Sequence, residues 1–400
     1  MALFFEKRVE GPFKNILKSP EYVTNSRGQI LHVRSWLDIQ DDKSKPSALV
    51  FFLHGYKIII PIITCTVYSK CFEIFIHRYA SHISRPVHEK IARDLNTHNI
   101  GYITLDFHGH GHSDGLRALV TSYVDLVDDI VSLLLAVYST STVNPEQNYR
   151  VAQTFDTDVP FFIMGHSMGG AITLLTANFL TRSTLSTLPS EDIRFTSIEK
   201  QWKGKNKSFD IILCINVCMY VGICSAFKGC LLYSPAVEVS SPSIFIRGLL
   251  TYVLVPLIPT VEIPPSFSSM SDNTLIWEDP IYIDYVVADA HPAGLSWGGS
   301  LRIQTAWALL NAADEVKASI ANMTYPFIVF HDPEDAICRI KGSEMLLTGS
   351  TLLPESDKKL VTVDGGRHDL ITNRLQDMIT QSVEWIHIRL SLCNPSRLIT

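Results

Sequence analysis

The chain has no excess of basic residues, no paired cysteine motif and no internal repeat. Its 400 residues carry 34 Lys and Arg against 40 Asp and Glu, a net charge of −6 with the two signs interspersed, so neither a nucleic-acid footprint nor a polyanionic tail is present. Eight cysteines occur without a single C-x-x-C spacing, which argues against a zinc ribbon or a dithiol redox motif and predicts free thiols. The first residues, "MALFFEKRVEGPF", lack a basic stretch followed by an apolar core, so no signal peptide is expected and the expected location is the cytoplasm. The longest membrane-like run, 211–227, is 17 residues long, just under the ~20 that a helical span requires. A crossing there would also place two halves of one sheet on opposite sides of a bilayer.

What the chain does have is a 46% apolar composition, enough for a large core, and a regular succession of strand-like runs. "EYVT" and "QILHVRSW" flank a turn at 25–28, and "SALVFFL", "GYITLDF", "VPFFIMG", "CLLYSPAV", "PFIVFH" and "KLVTVDG" follow. Most of the later runs are continuously apolar, as suits strands buried on both faces of a parallel sheet, and helical stretches such as 118–138 and 171–181 lie between them. The expected fold is an α/β class, a mostly parallel sheet flanked by helices and opened by an antiparallel hairpin. Reactive groups then gather at the carboxyl ends of strands. Residues 238–320 break the rhythm with a proline-punctuated apolar stretch and are expected to form a cap over a core made of 20–237 and 321–390.

Residues 165–170, "GHSMGG", sit where one strand-like run stops and a helical one starts. Gly165-His166-Ser167-Met168-Gly169 matches G-x-S-x-G, a strained turn that lifts a serine above the sheet edge while small neighbours prevent collision. A serine hydroxyl needs a base, and the base an orienting acid. Only His291, His331, His368 and His387 follow Ser167, and His368 alone lies in a glycine-bearing loop after a strand, "DGGRHDL". His368 is therefore the expected base. The loop "HDPEDAI" offers Asp332, Glu334 and Asp335 as acids, and pattern alone leaves the three open. The amide of Met168 is expected to donate to a developing oxyanion, joined by that of Tyr56, just past the strand ending in His54-Gly55. His108, His110 and His112 alternate with glycine, without the ligand spacing of a zinc site, so neither a metal nor any other cofactor is expected.

Taken together, "HGY", "DFHGHGHSDG", "GHSMGGA", "LLYSPAV", "HDPED" and "GGRHD" resemble, in order and spacing, the monoacylglycerol lipase-like α/β-hydrolases, a family related to serine aminopeptidases and lysophospholipases. The resemblance covers about 20–390. It implies that the acid lies where this chain has Asp335, with Asp332 at the place of a family glycine. It further implies a serine esterase acting on single-chain lipid esters, foremost monoacylglycerol, and a cap whose apolar run 249–259 makes peripheral contact with membranes. A lysophospholipase or general carboxylesterase would share every one of these residues, and a catalytically dead lipid-binding protein would keep the sheet and the cap.

Two segments, 57–79 and 205–229, interrupt the likeness and hold five of the eight cysteines. They are expected to be atypical insertions, in the limit translated intervening sequence. A real insertion at 57–79 would crowd the Tyr56 donor.

Overall fold

A computed structural model of the chain describes residues 21–37, 45–55, 81–138, 149–151, 153–182, 222–239, 242–263, 273–289 and 294–393. Strand β1 (Tyr22–Thr24) and strand β2 (Ile30–Trp36) form the antiparallel hairpin. They are followed by β3 (Ala48–Leu53), helix α1 (Pro86–Thr97), β4 (Ile100–Leu105), α2 (Tyr123–Val137), β5 (Phe161–His166), α3 (Met168–Arg182) and β6 (Phe227–Tyr233). After the cap come α4 (Ile303–Ser319), β7 (Phe327–His331), α5 (Lys341–Gly349), β8 (Lys358–Thr362) and the C-terminal helices α6 (Leu370–Asn373) and α7 (Leu375–Cys393). The strands make one eight-stranded sheet in the order β1-β2-β4-β3-β5-β6-β7-β8, antiparallel through β2 and β4 and parallel from β4 to β8. All eight strand-like runs of the sequence are strands, and the α/β-hydrolase fold class holds.

The continuous apolar runs are explained by how they divide. Leu49, Phe51 and Leu53 of β3, with Phe161 and Ile163 of β5, face one core; Ala48, Val50 and Phe52, with Phe162 and Met164, face the other. A two-residue period therefore buries both faces of the sheet beneath helices. Parallel register brings the strand ends together: Leu53 pairs with Gly165, His166 with Tyr233 and His331 with Thr362. Each residue just beyond these pairs opens onto one edge of the sheet.

Two expected boundaries move. Residues 222–226 are helical, and Phe227 to Gly229 begin β6, where Phe227 pairs with Phe161. Ile223, Ala226 and Phe227 are buried in the core, so the end of the 205–229 segment belongs to the sheet. The apolar burial of these three side chains is what draws the chain back into the fold. The remainder of that segment, and all of 57–79, lie outside the described residues. At the other boundary, α4 was expected in the cap, yet its Ala308, Ala312, Ala313 and Val316 are buried in the same core as Ile172, Leu174 and Leu175 of α3. Small alanines let the two helices approach closely, and α4 is a core helix.

Candidate active site

Ser167 lies directly after β5, with φ 55°, in the left-handed region that a non-glycine residue enters only when its surroundings hold it there. Those surroundings are main-chain bonds: the Ser167 N–H donates to Tyr233 O at 3.0 Å, and its carbonyl accepts from Gly170 at 3.0 Å and Ala236 at 2.9 Å. Sharp reversal of the chain forces close approach at Gly169. A methyl group there would come within 2.1 Å of Leu53 O and 2.7 Å of His54 O. Gly169→Ala should therefore cost about 3 kcal/mol or more. Chemical unfolding will show a lower midpoint together with lost hydrolysis; an unchanged midpoint would mean that α3 has room to shift.

His368 reaches this serine from the loop after β8. Its Nε2 is 2.9 Å from Ser167 Oγ, and its Nδ1 is 2.8 Å from Asp335 Oδ2. All three side chains are buried. Of the three carboxylates left open by pattern, Asp335 faces the histidine, Asp332 is turned to main-chain amides, and Glu334 is exposed. The other oxygen of Asp335 accepts the amides of Ile337 at 2.7 Å and Cys338 at 3.0 Å. Burial works against the charge of Asp335, yet His368 and His331 outweigh it and hold the carboxyl below the usual carboxylate range.

The side expected to receive an oxyanion lies at the end of β3 and the start of α3. Gly55 lies against Ser167, since a Cβ on it would fall 3.1 Å from the Cβ of that serine. His54 is pushed down to about 4 by burial and stays neutral. Its Nε2 accepts the Phe107 amide at 3.1 Å, leaving Nδ1 to donate to Gly55 O at 3.2 Å. Buried Met168 is the first residue of α3, whose opening amides have no partner within the helix and whose dipole favours negative charge at this end. Tyr56, the second expected donor, lies outside the described residues.

Sequence reasoning passed over His166. Its Nε2 is 3.0 Å from the carbonyl of His368, and the two rings lie 5.0 Å apart. Burial lowers the pKa of His166, so the neutral ring donates to that carbonyl and steadies the His368 main chain from the strand that leads into Ser167. Position x of G-x-S-x-G carries no signal for this, because the contact spans 202 residues. The loop histidines go to separate partners: His108 Nδ1 meets Asp129 Oδ2 at 2.7 Å, and His110 Nδ1 meets His108 O at 2.9 Å. Among the described residues no group of three or more His, Cys, Asp or Glu is arranged to hold a metal.

Comparison with known proteins agrees with this fold. The family model described as serine aminopeptidase, S33 matches residues 72–185 and 217–374, more than half of the chain. A rat (Rattus norvegicus) monoglyceride lipase is 22% identical over 354 residues, covering 87% of this chain and 83% of that protein. Caffeoylshikimate esterase of Arabidopsis thaliana is 21% identical over 318 residues, covering 78% and 75%. The crystal structure of Paleococcus ferrophilus monoacylglycerol lipase superposes with a TM-score of 0.56 at 17% identity, covering 90% of this chain and 98% of that one, a likeness of fold. The chain belongs to the serine aminopeptidase S33 family of α/β-hydrolases, and is a hydrolase of the serine esterase and lipase type.

Proposed function

We propose that the protein hydrolyses carboxylic esters of single-chain lipids, foremost monoacylglycerol, through an acyl-enzyme on Ser167. The observation that carries this reading is the hydrogen-bonded relay Asp335–His368–Ser167 at the carboxyl edge of the sheet. His368 takes the proton of Ser167 as Oγ attacks the ester carbonyl, and Asp335 steadies the imidazolium. The oxyanion meets the amide of Met168 and that of Tyr56, each donor worth roughly 2.7–4 kcal/mol in the transition state. His368 then returns the proton to the departing glycerol, and water admitted to the same base releases the fatty acid.

The lipid class rests on similarity to monoglyceride lipases and on the cap surface. Residues Ile244–Leu249, Leu250–Leu254 and Val255–Leu257 form one helical stretch. Along it Ile244, Phe245, Tyr252 and Leu257 are 74–86% exposed, an apolar face that water alone would not favour and that suits peripheral contact with a lipid surface. Among the described residues no helix is long and apolar enough to cross a membrane. Phe245→Asp with Leu257→Asp should weaken binding to phosphatidylcholine vesicles by about a hundredfold, each lost apolar side chain contributing roughly 1.5 kcal/mol. The apparent KM for micellar monoacylglycerol should rise while a soluble short-chain ester is hydrolysed at the original rate. Equal losses on both substrates would count against a surface role. Leu254 is packed against the core, and its replacement is the control for such a packing defect.

The function itself is tested by comparing kcat/KM for a monoacylglycerol, a lysophospholipid and a short-chain aryl ester. A preference for the lysophospholipid or the aryl ester moves the substrate while leaving the chemistry in place. Absence of all three activities, with no covalent labelling by a fluorophosphonate, would support a lipid-binding protein instead.

A further inference from the structure

The acid loop carries a second buried carboxylate that the proposed reaction does not use. Asp332 is 2% exposed. Its Oδ2 accepts the main-chain N–H of Arg367 at 2.5 Å, and its Oδ1 accepts that of Glu334 at 2.9 Å. Arg367 immediately precedes His368 and sits at φ 53°, a left-handed conformation costing a bulky residue about 1–2 kcal/mol. The Arg367 guanidinium extends the other way, its Nη1 donating to the cap carbonyls of Thr274 and, at 2.7 Å, Trp277. On the far side of the base, Asp369 accepts the indole N–H of Trp277 at 2.6 Å. Both chain neighbours of His368 are thus fastened, one to the acid loop and both to the same cap segment.

We propose that Asp332 is a positioning residue for His368: by clamping the Arg367 amide, its carboxylate holds the residue before the base in the left-handed turn that aims the imidazole at Ser167 and Asp335. The inference rests on the reading of those three residues as the reacting set. Without the carboxylate, the half-buried Arg367 amide loses its acceptor and the strained turn loses the bond that opposes its relaxation. The imidazole then swings from its line with Ser167, and a displacement near 1 Å is enough for a loss of about a hundredfold. Asn at 332 offers one acceptor oxygen to the two amides and must turn its NH₂ group toward one of them, so the Arg367 amide keeps its acceptor only part of the time.

The test measures fluorophosphonate labelling and turnover of a soluble short-chain ester, neither of which needs a lipid surface. Asp332→Ala should lower kcat and the labelling rate by about tenfold to a hundredfold with KM within about twofold, and Asp332→Asn should fall between it and the parent protein. A residue needed for folding alone would lower the amount of active enzyme and the melting temperature without producing this split per labelled site. Asp332→Ala labelling at the parental rate, or a raised KM at unchanged kcat, would overturn the inference while Ser167→Ala stays inactive. If Asp332→Ala does not fold, Asp332→Asn decides: parental rates in that variant refute the clamp, and an intermediate loss supports it. Hydrolysis persisting in Ser167→Ala would remove the reacting set itself, a failure distinct from that of Asp332.

Discussion

Ser167→Ala will lose covalent labelling by a fluorophosphonate and most of its ester hydrolysis, with kcat reduced on the order of 10⁴–10⁶. The size follows from what the hydroxyl does in the proposed reaction: its oxygen, 2.9 Å from His368 Nε2, is the atom that bonds to the acyl carbon. The fold should survive the change. The turn at 167 is held by main-chain bonds to Tyr233, Gly170 and Ala236, all of which alanine retains, so the melting temperature should stay within a few degrees of the parent's. His368→Ala should lose a similar factor, and the double variant should be scarcely worse than either single one, because each residue acts only through the other. Additive losses would mean that the two residues work independently. A normal labelling rate in Ser167→Ala would place the nucleophile elsewhere.

Much of this arrangement is legible in the sequence, for reasons that differ from element to element. Strands β3 to β7 announce themselves because burial on both faces leaves few polar positions. The elbow is legible because a strained turn tolerates few residue types. The choice of His368 came from chain order and from the strand before it, which local pattern can carry. The choice among Asp332, Glu334 and Asp335 could not come from pattern, since three neighbouring carboxylates differ only in where the loop aims them. That aim is set by Ile337 and Cys338, whose amides bind one oxygen of Asp335 and present the other to the histidine. Position x before the serine was equally silent about His166, whose partner lies in the last third of the chain. The place of α4 was hidden too, because a helix between two strands packs on the sheet or on a cap according to the surface it meets. Its Ala308, Ala312 and Ala313 meet α3.

Asp335→Asn should lower kcat by about 10⁴ even though it changes one atom. One oxygen of Asp335 accepts the Ile337 and Cys338 amides, and an asparagine will keep its own oxygen there, since its NH₂ group would otherwise face two N–H donors. The NH₂ group is then turned toward His368 Nδ1, which lies 2.8 Å from the present oxygen. A donor at that place favours the tautomer with Nδ1 unprotonated and the proton on Nε2, the nitrogen facing Ser167 Oγ at 2.9 Å. The base would then present a hydrogen where it must accept one, and the imidazolium formed on attack would have no carboxylate beside it. Because shape and main-chain bonds are preserved, binding and folding should be little changed, so KM and the melting temperature stay near those of the parent while kcat collapses. Raising the pH will not restore the rate, as the fault is the location of the proton and not the amount of neutral imidazole. Retention of most activity in Asp335→Asn would show that another group orients His368. Since Asp332 is engaged by the amides of Glu334 and Arg367, the double variant Asp332→Ala/Asp335→Asn would then have to be the inactive one for the acid role to pass to it.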